Sequence, residues 1–218
     1  MNKLKGIFLV CLLASGMLHG CADTTSHATG VYMLLDTSGT YTEEMKKGQA
    51  IINYLLGTLQ PGDSLAVARI DSGSFSEKDI IANMTFDTRP SVSNRQKLKF
   101  RSEVDANVQQ VKGSPYTDIS GGMLQAVEYL NETRSGKKYI LIFSDMQEDL
   151  PKGYVRDIPF ELRGFKVVAL NVTKLRSDNV NPREYLDRLE EWRAKVENGG
   201  GHWKVINDLE RLERILEG

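Results

Sequence analysis

The sequence predicts an α/β fold with a doubly wound, mainly parallel sheet of six strands, one antiparallel edge strand, and helices on both faces. Short apolar runs typical of buried strands alternate with longer amphipathic stretches along the chain. Most of these runs are continuously apolar, as expected for parallel strands covered on both faces. No low-complexity stretch or internal repeat interrupts the pattern, so we expect one domain over residues 30–218.

Six segments are predicted to be strands. They lie at 31–35, 64–70, 80–86, 139–143, 165–172 and 202–206. The second and third are separated by a turn region, Asp71-Ser72-Gly73-Ser74, which predicts an antiparallel hairpin at one edge of the sheet.

Amphipathic helices are predicted between these strands. Helical spacing of apolar residues places them at 43–59, 95–112, 119–130 and 182–196, followed by a closing helix around 209–216. The helices at 43–59 and 182–196 are predicted to end before Pro61-Gly62 and Gly199-Gly200-Gly201, respectively. We expect Trp192 and Trp203 to belong to the core.

The first residues resemble a bacterial lipoprotein signal peptide, predicted over 1–20. Lys3 and Lys5 precede an apolar stretch at 7–18, which is too short to span a bilayer comfortably. Leu18-His19-Gly20-Cys21 resembles the lipobox, whose cysteine becomes lipid-modified after cleavage. An ordinary signal peptide with a chance cysteine is the alternative.

Cysteine usage also favours lipidation. The chain has two cysteines, Cys11 inside the apolar stretch and Cys21 at its end. Cleavage before Cys21 would leave one thiol, which acylation (palmitate included) would explain. Ala22 is not the Asp that retains enterobacterial-type lipoproteins at the inner membrane, so the resemblance implies a lipid anchor in the outer membrane, facing the periplasm. Residues 21–29 read as a lipidated tether.

Composition narrows the function classes. There are 28 Lys and Arg against 29 Asp and Glu, a formal net charge of −1, so the basic excess of a nucleic-acid-binding protein is missing. His27 and His202 have no companions that suggest zinc, and no Ser-His-Asp or Cys-His arrangement suggests nucleophilic catalysis.

Three segments could build a metal site. Asp36-Thr37-Ser38-Gly39-Thr40 follows the first strand, 113–118 opens a helix, and Asp145 follows the fourth strand. Ligands in such folds bind beyond the carboxyl ends of the strands. Carboxylate and hydroxyl oxygens suit hard cations. Individually, these residues could instead cap turns or helices, Asp118 and Thr117 included.

Together the three segments resemble the von Willebrand factor type A (VWA) domain and its metal-ion-dependent adhesion site (MIDAS), whose pattern is Asp-x-Ser-x-Ser, a distant Thr and a more distant Asp. The resemblance covers residues 30–215 approximately and implies the doubly wound, Rossmann-like VWA fold. It also implies a site for Mg²⁺, or for another hard divalent cation such as Mn²⁺ or Ca²⁺. The implied metal ligands are Asp36, Ser38, Thr40, Thr117 and Asp145.

The resemblance implies a non-enzymatic binding module. Neutral hydroxyl ligands leave the cation under-neutralised, so an Asp or Glu of a protein partner can complete its shell. Thr40 replaces the usual Ser and keeps the oxygen, whereas Met146 stands where the family has Gly, so the loop after Asp145 can differ in shape. Glu148 and Asp149 are interpreted as solvated loop charges.

Two other functions fit parts of the pattern. Asp36 and Thr40 with Asp145 and Asp149 resemble the first and last motifs of a haloacid dehalogenase-type, Mg²⁺-dependent phosphatase. Ser38 stands where that family places its general acid/base, and a hydroxyl without a neighbouring base protonates a leaving group poorly. A structural lipoprotein with a vestigial site is the other alternative.

Overall fold

The structure, a computed structural model, describes residues 27–37, 45–71, 73, 75–108, 114–156, 158–170, 182–207 and 209–217. Its sheet has six strands. They are β1 (Thr29–Asp36), β2 (Ser64–Ile70), β3 (Ile80–Thr85), β4 (Lys137–Phe143), β5 (Phe165–Leu170) and β6 (His202–Ile206). The strand order is β3-β2-β1-β4-β5-β6, and only β3 runs antiparallel to its neighbour. The predicted fold class, including the antiparallel edge hairpin, is confirmed.

Five α-helices and one short 3-10 helix (Glu77–Asp79) occur in the described part of the chain. The α-helices are numbered in chain order. They are α1 (Met45–Thr58), α2 (Pro90–Val108), α3 (Ile119–Glu132), α4 (Pro182–Asn198) and α5 (Leu209–Glu217). None of the helices in these ranges is long and apolar enough to cross a membrane. The signal segment and Cys21 lie outside the described residues, as do 43–44, 109–113 and 171–172 at the ends of predicted elements.

The predicted start of α2 at Arg95 is wrong, because the helix begins at Pro90. Proline suits the first helical position, where its fixed φ matches the helix and its missing N–H costs nothing. The first turn is polar apart from Val92, so the apolar stripe used for the prediction starts one turn too late. Asp87 accepts a hydrogen bond from the backbone N–H of Arg89 (2.8 Å) and shapes the chain just before the helix.

The sheet separates two apolar layers because neighbouring residues of each strand face opposite sides. On β1, Met33 packs in the layer that holds α1, α2 and α5, whereas Leu34 packs in the layer that holds α3 and α4. Trp192 is buried in the second layer and Trp203 packs against it half-buried, so both belong to the core as expected. Coverage on both faces leaves the two ends of the parallel strands, the carboxyl ends among them, as the open edges of the sheet.

Candidate functional site

Two of the predicted metal ligands lie at the carboxyl edge of neighbouring parallel strands. Leu35 of β1 pairs with Phe143 of β4, so Asp36 and Asp145 leave the sheet side by side. From β1 the chain winds outward to β2 and β3, and then returns to β4 on the other side of β1. The boundary between β1 and β4 is therefore the topological switch point, where ligands bind in open α/β sheets.

A buried serine connects these two strand ends. Ser144 donates its hydroxyl hydrogen to Oδ2 of Asp36 (2.7 Å), and its Oγ accepts the N–H of Met146 (3.0 Å). Ser144 is fully buried and Asp36 is 1 % exposed. A hydrogen bond to a buried carboxylate is among the stronger neutral-to-charged contacts. Ser144 thus fixes the Asp36 carboxylate against the segment that carries Asp145.

The Asp145 segment is held by contacts on both sides of its backbone. Oδ1 of Asp145 accepts the N–H of Gln147 (2.8 Å), and its carbonyl oxygen accepts Nε of Arg188 (3.1 Å). The next carbonyl, that of Met146, accepts the indole N–H of Trp192 (2.9 Å). Arg188 and Trp192 both lie on α4, so this helix positions the Asp145 turn.

Met146 keeps a backbone conformation that glycine would favour. Its φ is +65°, in the left-handed region that costs most residues about 1–2 kcal/mol. Its side chain is fully buried in the layer of α3 and α4. The buried side chain and the two backbone hydrogen bonds offset this cost, so the turn after Asp145 is maintained without glycine.

The segment from Ser114 to Thr117 is joined to both carboxylate segments through the backbone. Thr117 and Asp149 exchange two hydrogen bonds in an antiparallel bridge (2.8 and 3.0 Å), four residues beyond Asp145. The N–H of Ser114 donates to the carbonyl of Thr37 (3.1 Å), next to Asp36. Thr117 is 5 % exposed and Asp145 is 4 % exposed. The structure therefore brings Asp36, Thr117 and Asp145 to one region of the edge.

Asp118 caps α3, as its alternative interpretation allowed. Its Oδ1 accepts the N–H of Gly121 (2.7 Å), and its Oδ2 pairs with Nη2 of Arg156 (2.7 Å). The Asp118 side chain is fully buried and that of Arg156 is 12 % exposed. The hydrogen bond to Asp118 raises the pKa of Arg156. This ion pair fixes the loop that contains Arg156 against the start of α3.

The interpretation of Glu148 as a solvated charge is wrong. Glu148 accepts hydrogen bonds from the backbone N–H (2.7 Å) and the hydroxyl (3.1 Å) of Ser120, and its side chain is 18 % exposed. Carboxylates are favourable at helix N-termini, where backbone N–H groups have no partner within the helix. Glu148 therefore binds the first turn of α3 and stabilises the loop after β4.

Sequence reasoning also missed Asp71 and Ser144. Asp71 follows β2 at the same edge, accepts the hydroxyl of Ser114 (2.6 Å), and accepts the Asp118 N–H through its carbonyl (3.3 Å). The sequence carried one signal for Asp71: it directly follows a buried strand, much as Asp36 is the last residue of one. Ser144 stands between a strand and a predicted ligand, but serine at a strand end carries no specific signal.

The residues present fit a hard cation by their donor chemistry. The described ligand candidates offer two carboxylates and one hydroxyl, all nearly buried at one edge. Burying two carboxylates together is costly, and a cation would offset that cost. Ser38 and Thr40 lie outside the described residues. Within the described ranges, no group of three or more His, Cys, Asp or Glu forms a metal cluster, so this site would depend on hydroxyls.

Comparison with solved structures identifies the fold. A von Willebrand factor type A structure from Catenulispora acidiphila matches 87 % of this chain with a TM-score of 0.54 and 16 % identity. The chain has the VWA fold. The pilus adhesin SpaC from Lactobacillus rhamnosus GG, in an open conformation, matches 88 % with a TM-score of 0.53 and 12 % identity.

These likenesses are structural. This VWA-fold chain spans 41 % and 29 % of the two solved chains, respectively. No protein-family model matches the sequence, and no curated protein matches it either.

Proposed function

We propose that this chain is a membrane-tethered, non-enzymatic binding module that captures an acidic residue of a protein partner through a divalent cation. The cation, Mg²⁺ or another hard ion such as Mn²⁺ or Ca²⁺, would be held by Asp36, Ser38, Thr40, Thr117 and Asp145. One observation carries the proposal. The nearly buried carboxylates of Asp36 and Asp145 lie at the switch point of the sheet, and the nearly buried Thr117 is bonded through its backbone to the segment that follows Asp145.

The bound cation would supply a positive centre with room for an outside oxygen ligand. Mg²⁺ takes six oxygens and retains water readily, so a partner carboxylate can replace a water. The protein's own residues position the ligands: Ser144 orients Asp36, and α4 holds the turn of Asp145.

The rim beside the site supports a protein partner. Phe75 is 50 % exposed, Tyr154 47 % and Val155 79 %. Phe75 lies in the β2–β3 connection, and a Cβ added at Gly73 of that connection would lie 4.0 Å from the Tyr154 hydroxyl, so the two loops are neighbours. Exposed apolar side chains around a polar site are typical of protein-binding surfaces.

The tether is part of the same proposal. Acylation of Cys21 after the signal segment would anchor the domain stably, because lipoproteins carry more than one acyl chain. The proposed location is the outer membrane, on its periplasmic side.

Metal binding is tested with the full chain in detergent, by titrating Mn²⁺ and measuring its electron paramagnetic resonance signal. Thr117→Val removes a proposed ligand while nearly preserving shape, and Asp36→Ala removes the central carboxylate; both should weaken binding at least tenfold. Asp149→Asn is the matched control, since Asp149 is exposed at the same edge and should bind as wild type does. Equal binding by all four chains would refute the site. No binding even at millimolar Mn²⁺ would favour a vestigial site.

Partner capture is tested by affinity purification from membranes in Mg²⁺ and then in chelator. The captured protein should be lost in chelator and with Asp36→Ala, and kept with Asp149→Asn. Capture that is unchanged in chelator would refute the function. Hydrolysis of an aryl phosphate that disappears with Asp36→Asn would favour the phosphatase instead.

A further inference from the structure

The part of the amino-terminal edge of the sheet beside β4, β5 and β6, opposite the candidate metal site, carries an excess of positive charge. The segments 131–138, 161–166 and 197–204 lead into or begin β4, β5 and β6, which run parallel. Six cationic residues lie in these segments against three glutamates, and we call this surface the basic edge. The cations are Arg134, Lys137, Lys138, Arg163, Lys166 and Lys204; the acids are Glu132, Glu161 and Glu197.

The basic edge is continuous. Lys138 is paired with Phe165 in the sheet and its Nζ lies 5.0 Å from that ring's centroid, and Lys166 is paired with His202. A Cβ added at Gly200 would lie 3.7 Å from the backbone of Arg163. The three segments are therefore neighbours along this edge. Lys138 lies on the face of α3 and α4, and Lys166, which donates to the Tyr139 hydroxyl (3.3 Å), lies on the face of α5.

Several of these cations are available to a ligand. Arg134, Lys137 and Arg163 are exposed, and none of them pairs with a carboxylate in the described part of the chain. Beside them is a cavity of about 570 Å³. Its lining includes four basic side chains and one acid: Lys166, His202, Lys204, Arg214 and Glu197.

The opposite edge has the reverse charge. Eight acidic residues lie at the ends of β1, β2 and β4, before β3 and at the start of α3, against four basic residues there, and Arg188 of α4 also reaches Asp145. The acids are Asp36, Asp71, Glu77, Asp79, Asp118, Asp145, Glu148 and Asp149; the bases are Arg69, Lys78, Lys152 and Arg156. Charge is thus separated along the strand direction in a chain whose formal net charge is −1.

The tether enters the domain at the basic edge. The carbonyl of Ala28 accepts the N–H groups of Gly136 (3.0 Å) and Lys137 (3.3 Å), and Thr29 pairs with Lys137. The eight residues from Cys21 to Ala28 are joined by seven Cα–Cα steps, which can span at most about 25 Å. A lipid on Cys21 therefore keeps the basic edge within that distance of the headgroups.

We propose that the basic edge docks on anionic phospholipid headgroups and holds the metal-site edge away from the bilayer. This inference rests on the proposed lipid anchor. The tether places the edge near the membrane, and the unpaired cations complement an anionic surface, where each Lys or Arg strengthens binding about fivefold. The cavity of Lys166 and Lys204 is large enough to admit a headgroup phosphate.

The experiment measures the orientation of the full chain on vesicles. Val155 is 79 % exposed on the loop next to the metal-site edge. In the cleaved and acylated chain, Val155→Cys provides the single reactive thiol for a fluorescent donor, and the acceptor is a labelled lipid. Vesicles contain phosphatidylcholine alone or with phosphatidylglycerol, and mass spectrometry of the same preparation reports acylation.

Two charge-matched triple variants make the test specific. Arg134→Gln, Lys137→Gln and Arg163→Gln together remove three charges from the basic edge. Lys46→Gln, Lys78→Gln and Lys152→Gln remove three exposed charges on the other side. On anionic vesicles we expect low energy transfer for the parent and the second triple, because the donor is held away. For the first triple, the equilibrium constant for docking should fall on the order of a hundredfold, so energy transfer should rise.

Each outcome discriminates. An acylated chain with equal transfer on neutral and anionic vesicles, or equal transfer for the two triples, overturns the docking and leaves the anchor. An acidic protein as the natural occupant of this edge would give that same result. A preparation without the acyl mass overturns the anchor and the docking together. If Mn²⁺ does not bind but energy transfer is as expected, the metal site alone is overturned and the docking is supported.

Discussion

Replacing Ser144 with alanine tests whether this residue organises the site. The change removes the hydroxyl that donates to Asp36 Oδ2 (2.7 Å) and accepts the Met146 N–H (3.0 Å). A hydrogen bond to a charged group contributes about 1.5–3 kcal/mol, and a buried N–H without its acceptor costs about 1 kcal/mol or more. We therefore expect the free energy of unfolding to fall by roughly 2–4 kcal/mol.

The same substitution should weaken metal binding. Residues that orient a metal ligand typically contribute 10- to 100-fold to affinity, so we expect a Mn²⁺ dissociation constant raised by about that factor. Stability is measured by urea unfolding, followed by circular dichroism and by tryptophan fluorescence, to which Trp192, buried against Met146, contributes.

Ser64→Ala is the matched control. Ser64 is also buried and also makes a hydroxyl hydrogen bond, to Thr85 (2.9 Å), but at the opposite edge of the sheet. We expect a loss of about 1 kcal/mol and unchanged Mn²⁺ binding. If Ser144→Ala unfolds and binds Mn²⁺ as Ser64→Ala does, the role assigned to Ser144 is wrong.

Four further substitutions test other parts of the structure. Arg156→Leu leaves the buried Asp118 carboxylate without its ion pair and should lower the free energy of unfolding by about 3 kcal/mol in urea titration; a loss below about 1 kcal/mol would contradict a buried pair. Gly57→Ala should stabilise α1 by about 0.5–1 kcal/mol, because a Cβ there meets nothing within 4 Å. Gly122→Ala should instead destabilise the fold by about 1–3 kcal/mol, because its Cβ would lie 2.8 Å from a buried leucine. Equal melting temperatures for the two variants would refute this contrast. Burial raises the pKa of Tyr32, so the folded chain keeps a proton that the unfolded chain loses above about pH 10. The free energy of unfolding should therefore be unaffected below that pH and fall as the pH rises above it, and it should fall less steeply in Tyr32→Phe. Equal slopes for the two chains would be contrary evidence.

The strands were predictable because burial on both faces makes their apolar runs continuous. The bounds predicted for 64–70 and 202–206 match those of β2 and β6, since a turn or a run of glycines marks their starts. The start of α2 was missed because its first turn depends on backbone chemistry at Pro90, where no apolar stripe exists. Local pattern predicts elements well where burial alone defines them.

The candidate site was predictable only in part. The placement of Asp36 and Asp145 side by side was predictable because each ends an apolar run and neighbouring parallel strands bring such ends together. Asp71 and Glu148 were missed because their hydrogen bonds join residues 43 and 28 positions apart, which leaves no periodic trace in the sequence. Ligand candidates at strand ends can be inferred from topology, whereas the contacts that orient them require the packed structure.

Charge separation between the two edges connects the proposed functions. Strands of seven or eight residues span roughly 25 Å, which is about three Debye lengths at physiological salt. Headgroups in contact with Lys137 and Arg163 therefore interact strongly with the basic edge and only weakly with the acidic one. At that distance the anionic headgroups do not repel the carboxylates of Asp36 and Asp145, which remain able to attract a cation. Raising the salt concentration should release the docked orientation while the acyl anchor holds, because salt screens the exposed cations and leaves the acyl chains buried in the bilayer.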